Sequence, residues 1–157
     1  PVSARLTLSI ARRESEFNPA VISGAGAVGL MQVMPGTGRQ MAARLNVGFS
    51  ESRLFSDAGY NAVLGAGYLD YLIEEFGPNP VLIASAYNAG PSRAIRWSEE
   101  NGDPWDPEVD IVDWIEGIPF RETRNYVMRV TESMLIYDAH LSGEMPDQTL
   151  MQLLRQR

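Results

Sequence analysis

The sequence predicts an all-α fold. Apolar residues recur at spacings of three or four through several long segments, helix start and stop residues punctuate those segments, and no run qualifies as a strand. No internal repeat is present. A chain of 157 residues suits one domain with a real core. A single domain over 1–157 is therefore expected, with a tail helix from about residue 146, as part of a longer chain. Pro1 is preceded by no Met and followed by no basic-then-apolar leader, so any targeting segment is expected to be gone already.

Val2 to Glu16 reads as the first helix. At about 100° per residue, Arg5, Ser9 and Arg12 share one side, and Val2, Leu6 and Ile10 share the other. Glu14 continues the Leu6–Ile10 line, which points its carboxyl group inward. Pro19 disfavours helical geometry at Asn18 and is expected to stop the helix. Ser23 to Gly29 carries three glycines in seven residues and must be a loop. No strand precedes it and no Gly-Lys-Ser/Thr closes it, so it does not read as a phosphate cradle. Thr37 can cap a short helix to Leu45, with Asn46 and Gly48 ending it.

Asp57 is placed to cap a helix from Ala58 to Phe76, which Gly77-Pro78 stops. Gly65 and Gly67 inside it cost about 1 kcal/mol each relative to Ala, which predicts close approach of another backbone. Pro80 to Tyr87 reads as a buried helix ending at Asn88-Ala-Gly90, and Pro91 to Glu100 as the next. Asn101 to Pro107 is expected to be a surface loop. Arg121 to Leu141 forms a long helix with Val127, Val130, Met134 and Tyr137 on one stripe, and the tail beyond Pro146 is amphipathic.

Hydrophobic residues make up 45% of the chain and charged residues 21%, the range of a soluble globular protein. No apolar run approaches the roughly 18 residues needed to cross a bilayer. With no cysteine, disulfides, thiolate catalysis and Cys-held metals are excluded. His140 is the only histidine, which makes a metal site improbable, and no cofactor is expected. A net charge of −7 argues against nucleic acid as the main partner, since phosphate binding needs a basic face. All 13 basic residues are Arg, from which nothing functional follows.

Four segments occur in order along the chain: Glu14-Ser15 at a helix end, Gly29-Leu-Met-Gln32, Ala86-Tyr-Asn-Ala-Gly90, and Tyr126 after Glu122-Thr-Arg124. Ile118-Pro-Phe120 lies between the last two. Together, over roughly Ile10 to Tyr137, they resemble the four motifs of the soluble lytic transglycosylase catalytic domain, glycoside hydrolase family 23, whose fold is like goose-type lysozyme. The resemblance implies a lysozyme-like helical domain with a substrate groove. It also implies cleavage of peptidoglycan between N-acetylmuramic acid and N-acetylglucosamine without water, leaving a 1,6-anhydro-muramoyl end.

On that resemblance Glu14 is the sole catalytic carboxylate, acting as acid and then base, with the substrate's N-acetyl oxygen stabilising C1. Ser23, nine residues on, bonds near the reacting sugar, and Met31 and Gln32 line the groove. Tyr87 and Asn88 lie beside the scissile bond, Tyr126 matches the tyrosine of the fourth motif, and Glu116 faces the cleft. The implied partners are peptidoglycan strands, with other cell-wall enzymes or an upstream helical region. The implied location is the periplasm or bacterial envelope. Arg13, Val28 and the acidic Asn101–Pro107 loop depart from the commoner pattern and bear on glycan or peptide preference.

An acid of this kind must keep its proton near neutrality, which burial in an apolar setting favours. A plain structural reading stands beside each role. Glu14 can instead pair with Arg13 or Arg39, while Tyr87 and Tyr126 can be core aromatics. The three Trp residues are assigned to packing. Two rival functions stay open. One is a hydrolytic muramidase in which Glu116 or Glu16 positions water, and the other is a glycan-binding module without catalysis.

Overall fold

A computed structural model describes residues 1–156. Nine helices and no named strand are found among them, so the all-α expectation holds. The chain forms two compact units. The first is Pro1–Val2 with Ile10–Tyr71, and the second is Ser3–Ser9 with Leu72–Arg157.

Helix α1 (Ala4–Ser15) buries Leu6, Ile10 and Ala11 as its periodicity requires. Ser9 on the polar side is buried as well, its hydroxyl donating to Arg5 O at 2.7 Å. Arg5 reaches Asp138 at 3.1 Å and Gln156 at 3.0 Å.

The first unit holds the glycine loop, α2 (Pro35–Arg44), α3 (Glu51–Ser56) and most of α4 (Ala58–Phe76). Helix α2 starts at Pro35 with its cap position at Met34, three residues before Thr37, because proline pre-sets the first turn. Helix α3 was not foreseen; six residues are too few to show a period. Asp57 caps α4 as expected, its Oδ1 accepting from Tyr60 N at 2.9 Å. The Arg53 guanidinium, bonded to Oδ2 at 2.8 Å, holds the Asp57 carboxyl below the ordinary carboxylate range. The two mid-helix glycines do mark close approaches, but to side chains rather than to a second backbone. A Cβ on Gly65 would stand 2.6 Å from Met31 Cβ, and one on Gly67 2.8 Å from Leu45 Cδ1.

In the second unit, α5 (Pro80–Ala89) is apolar on every side and is buried from Pro80 to Ala86. Helices α6 (Pro91–Asn101) and α8 (Arg121–Ser142) pack against it. Asn79 starts α5: its Oδ1 accepts from Val81 N and Leu82 N, while its Nδ2 donates to Leu154 O at 3.1 Å. That bond also docks α9 (Leu150–Leu154), the core of the tail. Gly90, at φ 93°, ends α5 and opens α6 within one residue.

Helix α7 (Ile111–Glu116) is joined to α8 by Arg124, which donates to Glu116 O at 3.4 Å and to Ile118 O in the connecting turn at 3.2 Å. Val127, Val130 and Met134 of the predicted stripe are buried, Tyr137 is half-buried, and Trp97 and Trp114 are core residues. The 101–107 segment is not wholly a surface loop. Pro104 is buried, and the Trp105 ring lies where a Cβ on Gly77 would be, 2.5 Å away.

Ser85 is fully buried on α5, and its hydroxyl has no hydrogen-bond partner among the described residues. Ser85→Ala is therefore expected to stabilise the protein by about 1 kcal/mol, by removing a desolvated polar atom. In thermal unfolding this reads as a rise of about 2–4 °C.

Candidate active site

Glu14 occupies the last turn of α1 and is half-buried. Ser15, 7% exposed, fixes that turn in place. Its hydroxyl is within bonding distance of its own helix at Ala11 O, 3.2 Å, and of Leu30 O in the glycine loop, 2.7 Å. The Glu-Ser pair thus has a mechanical logic, because the residue after the acid stitches the helix end to the loop. The chain leaves α1 through Glu16 at φ 51° and Phe17 at φ 63°, two consecutive non-glycine residues in the left-handed region. Each costs about 1–2 kcal/mol. The helix therefore ends on backbone strain well before Pro19 acts, and strain of this kind concentrates at functional sites. Glu16 is exposed and outside the helix.

The loop from residue 21 to 34 closes on itself. Ser23 N donates to Ala27 O and Ser23 Oγ accepts from Ala27 N, both at 2.9 Å, which leaves the Ser23 hydroxyl hydrogen free to donate. Single bridges pair Ile22 with Val28 and Val28 with Val33. Gln32, at φ 48°, donates through Nε2 to Val21 O and Gly29 O, both at 2.9 Å. The partners its amide nitrogen needs are thus the loop's own carbonyls, and the side-chain oxygen is what it has left to offer. Met31 differs from the groove-lining expectation. Its side chain is fully buried against Gly65, so it supports the loop from beneath.

What holds this loop to the helical frame is Asn61, which the sequence reading missed. It is fully buried on α4. Its Nδ2 donates to Val28 O at 2.8 Å and Leu54 O at 3.2 Å, and its Oδ1 accepts from Met31 N at 2.9 Å. Gly29, at φ 75°, passes so close that a Cβ there would be 2.6 Å from Asn61 Nδ2.

In the second unit, Tyr87 and Asn88 sit half-buried in the last turn of α5. Asn88 Oδ1 accepts from Thr123 Oγ1, in the first turn of α8, at 2.7 Å. Tyr126, one turn further along α8, is 3% exposed and presents little surface. Glu116 is exposed as the last residue of α7. Phe120, 43% exposed, lies under the Arg93 guanidinium at 4.9 Å and edge-on to Trp97. Within the first unit the structure gathers Glu14, Ser23, Met31 and Gln32 around one loop and its neighbouring helix end. Within the second, Tyr87, Asn88 and Tyr126 share the α5–α8 packing. No group of His, Cys, Asp or Glu side chains suited to a metal ion occurs among the described residues. No helix among them is long and apolar enough to cross a membrane.

A family model described as the Transglycosylase SLT domain matches residues 1–108. Thr123, Tyr126 and Glu116 lie beyond that match, but longer similarities include them. The chain is 40% identical over 146 residues to the soluble lytic murein transglycosylase of Escherichia coli strain K12, covering 92% of this chain and 21% of that protein. Two crystal structures share its fold. The 70 kDa soluble lytic transglycosylase of Escherichia coli has a TM-score of 0.83 at 36% identity, over 93% of this chain and 23% of that one. An inactive Glu-to-Gln mutant of the lytic transglycosylase Slt from Pseudomonas aeruginosa has a TM-score of 0.82 at 36% identity, over 92% and 23%. The chain spans about a fifth of the length of the soluble lytic murein transglycosylases it matches.

Proposed function

The chain belongs to the SLT transglycosylase domain family, and from that premise we propose that it is the catalytic part of a peptidoglycan lytic transglycosylase. The substrate is the β-1,4 bond between N-acetylmuramic acid and N-acetylglucosamine, and the site of action is the bacterial envelope, in the periplasm. What carries this reading is the setting of Glu14: a half-buried carboxyl in a helix-end turn that Ser15 ties to the glycine loop. The similarity to murein transglycosylases over 92% of the chain supports it, as does the inactivity of a Glu-to-Gln mutant in a relative.

Glu14 begins protonated and gives its proton to the bridging oxygen as the bond to muramic C1 breaks. Oxocarbenium character at C1 is met by the neighbouring N-acetyl oxygen. The carboxylate then takes the proton from the muramic 6-hydroxyl, whose oxygen bonds to C1. The acid is restored and no water is consumed.

Ser23 contributes a hydroxyl hydrogen, Gln32 a side-chain oxygen, and Tyr87, Asn88 and Glu116 surface for the glycan. Tyr126 and Met31, both nearly or fully buried, act by holding these groups in place. The rest of the longer protein to which such domains belong, and other cell-wall enzymes, are its proposed partners.

Mass analysis of the products released from purified sacculi tests this reading. Muropeptides ending in anhydro-muramic acid are expected. Products heavier by one water would establish a hydrolytic muramidase, and tight pelleting without release would establish a binding module.

A further inference from the structure

We propose that Thr123 is a positioning residue that fixes Asn88 as a hydrogen-bond donor toward an acceptor oxygen of the glycan. The substrate in this statement rests on the transglycosylase reading. Thr123 lies in the first turn of α8 and is 2% exposed. Its Oγ1 donates to Asn88 Oδ1 at 2.7 Å, across the α5–α8 packing and 35 residues along the chain. It is the one side-chain hydrogen bond of either residue among those described.

An asparagine amide offers an acceptor on one side and two donor hydrogens on the other, in nearly the same shape. Unconstrained, it turns over to suit whatever it meets. Turning over here would present the NH2 group to Thr123, and the threonine's own hydrogen would lose its acceptor in a place water does not reach. The bonded orientation therefore persists. Asn88 Oδ1 faces inward and Nδ2 keeps both hydrogens, on a side chain that remains partly exposed.

The chemical consequence is selectivity. With its oxygen turned inward, Asn88 presents two N–H donors outward, and these fit an acceptor: a sugar hydroxyl, a ring oxygen or an acetamido carbonyl. A buried hydroxyl that donates sets this polarity, a role that the quoted segment Glu122-Thr-Arg124 does not itself reveal.

The test uses the Glu14→Gln variant as a non-cleaving background and measures Kd for a soluble tetrasaccharide of alternating N-acetylglucosamine and N-acetylmuramic acid. Thr123→Val keeps the shape and removes the donor; Thr123→Ala is carried in parallel in case the valine variant melts early. Either is expected to weaken binding about tenfold, and Thr123→Ser is expected to stay within about twofold of the background. In an Asn88→Ala background the valine change should add nothing, since its effect passes through Asn88.

Unchanged binding by Thr123→Val and Thr123→Ala would overturn the proposal. So would a serine variant as weak as the valine one, or a loss that persists in full without Asn88. Failure of the transglycosylase reading shows separately, as wild-type protein that releases no anhydro-muropeptides.

Discussion

Replacing Glu14 by Gln is expected to slow anhydro-muropeptide release by about 10²–10⁴-fold, the range that positioned proton transfer contributes. Glutamine keeps the length and shape of the side chain, and the turn that carries it is held by Ser15 through main-chain carbonyls that the exchange leaves untouched. The folded state should therefore survive, and circular dichroism with a cooperative melt checks that it has.

The size of the loss discriminates among mechanisms. If Glu116 or Glu16 shared the work as base or nucleophile, Glu116→Gln or Glu16→Gln would fall into the same range as Glu14→Gln. With Glu14 acting alone, Glu16→Gln leaves the rate within about threefold, and Glu116→Gln acts mainly on KM, because an exposed carboxylate at the end of α7 contributes to binding rather than to bond breaking. Full activity in Glu14→Gln would end the proposal.

How much of this was legible in the sequence follows from how far each cause acts along the chain. Helices α4 and α8 are long and periodic, α5 is a short apolar run opened by Pro80 and closed by Gly90, and Asp57 caps α4 from the residue before it, so local reading finds all three. The inward tilt of Glu14 follows from Leu6 and Ile10 by the same local rule. Helix α3 escapes because Glu51–Ser56 is shorter than two helical turns.

The functional loop shows the opposite case. Gln32 is expected to line the groove, yet its amide nitrogen closes onto Val21 and Gly29, a partnership that depends on a positive φ no sequence rule anticipates there. Met31 reads as groove-lining, and the structure places it under the loop because Gly65 on α4 leaves room beside it. Asn61 and Thr123 find their partners 30 and 35 residues away. No local signal marks Asn61, and the motif segment Glu122-Thr-Arg124 contains Thr123 without showing what it bonds to.

Removing the Asn61 clamp should therefore be the most damaging single change to the fold around the loop. Asn61→Ala leaves Met31 N–H and Leu54 C=O without the side chain that satisfies them, and opens a void where the amide sat. Val28 O is less exposed to the loss, because it also accepts from Val33 N at 3.0 Å. Two buried orphans at about 1–3 kcal/mol each put the expected loss near 3–5 kcal/mol, measured by denaturant unfolding.

Asn61→Asp sharpens the point. The shape is preserved, but an oxygen now faces the carbonyls of Val28 and Leu54. The introduced carboxyl is disfavoured as an anion both by burial and by those two acceptors, so its folded pKa lies above its unfolded one. Protonated, it can donate to one carbonyl; ionised, it repels both. The variant should consequently be least destabilised below the unfolded carboxyl pKa, near 3.9, and lose stability as pH rises through the higher folded value. Wild-type protein, with a neutral amide there, has no such dependence at this position.

Gly29→Ala approaches the same clamp from the other side. Its Cβ would meet Asn61 Nδ2 at 2.6 Å on a backbone already at φ 75°. A loss of about 2–4 kcal/mol is expected, from steric clash and left-handed strain together. Combining it with Asn61→Ala should cost less than the sum of the two, because the alanine at 61 vacates the space the new methyl needs. Strict additivity would mean that Gly29 and Asn61 do not act as one device holding the loop beside Glu14.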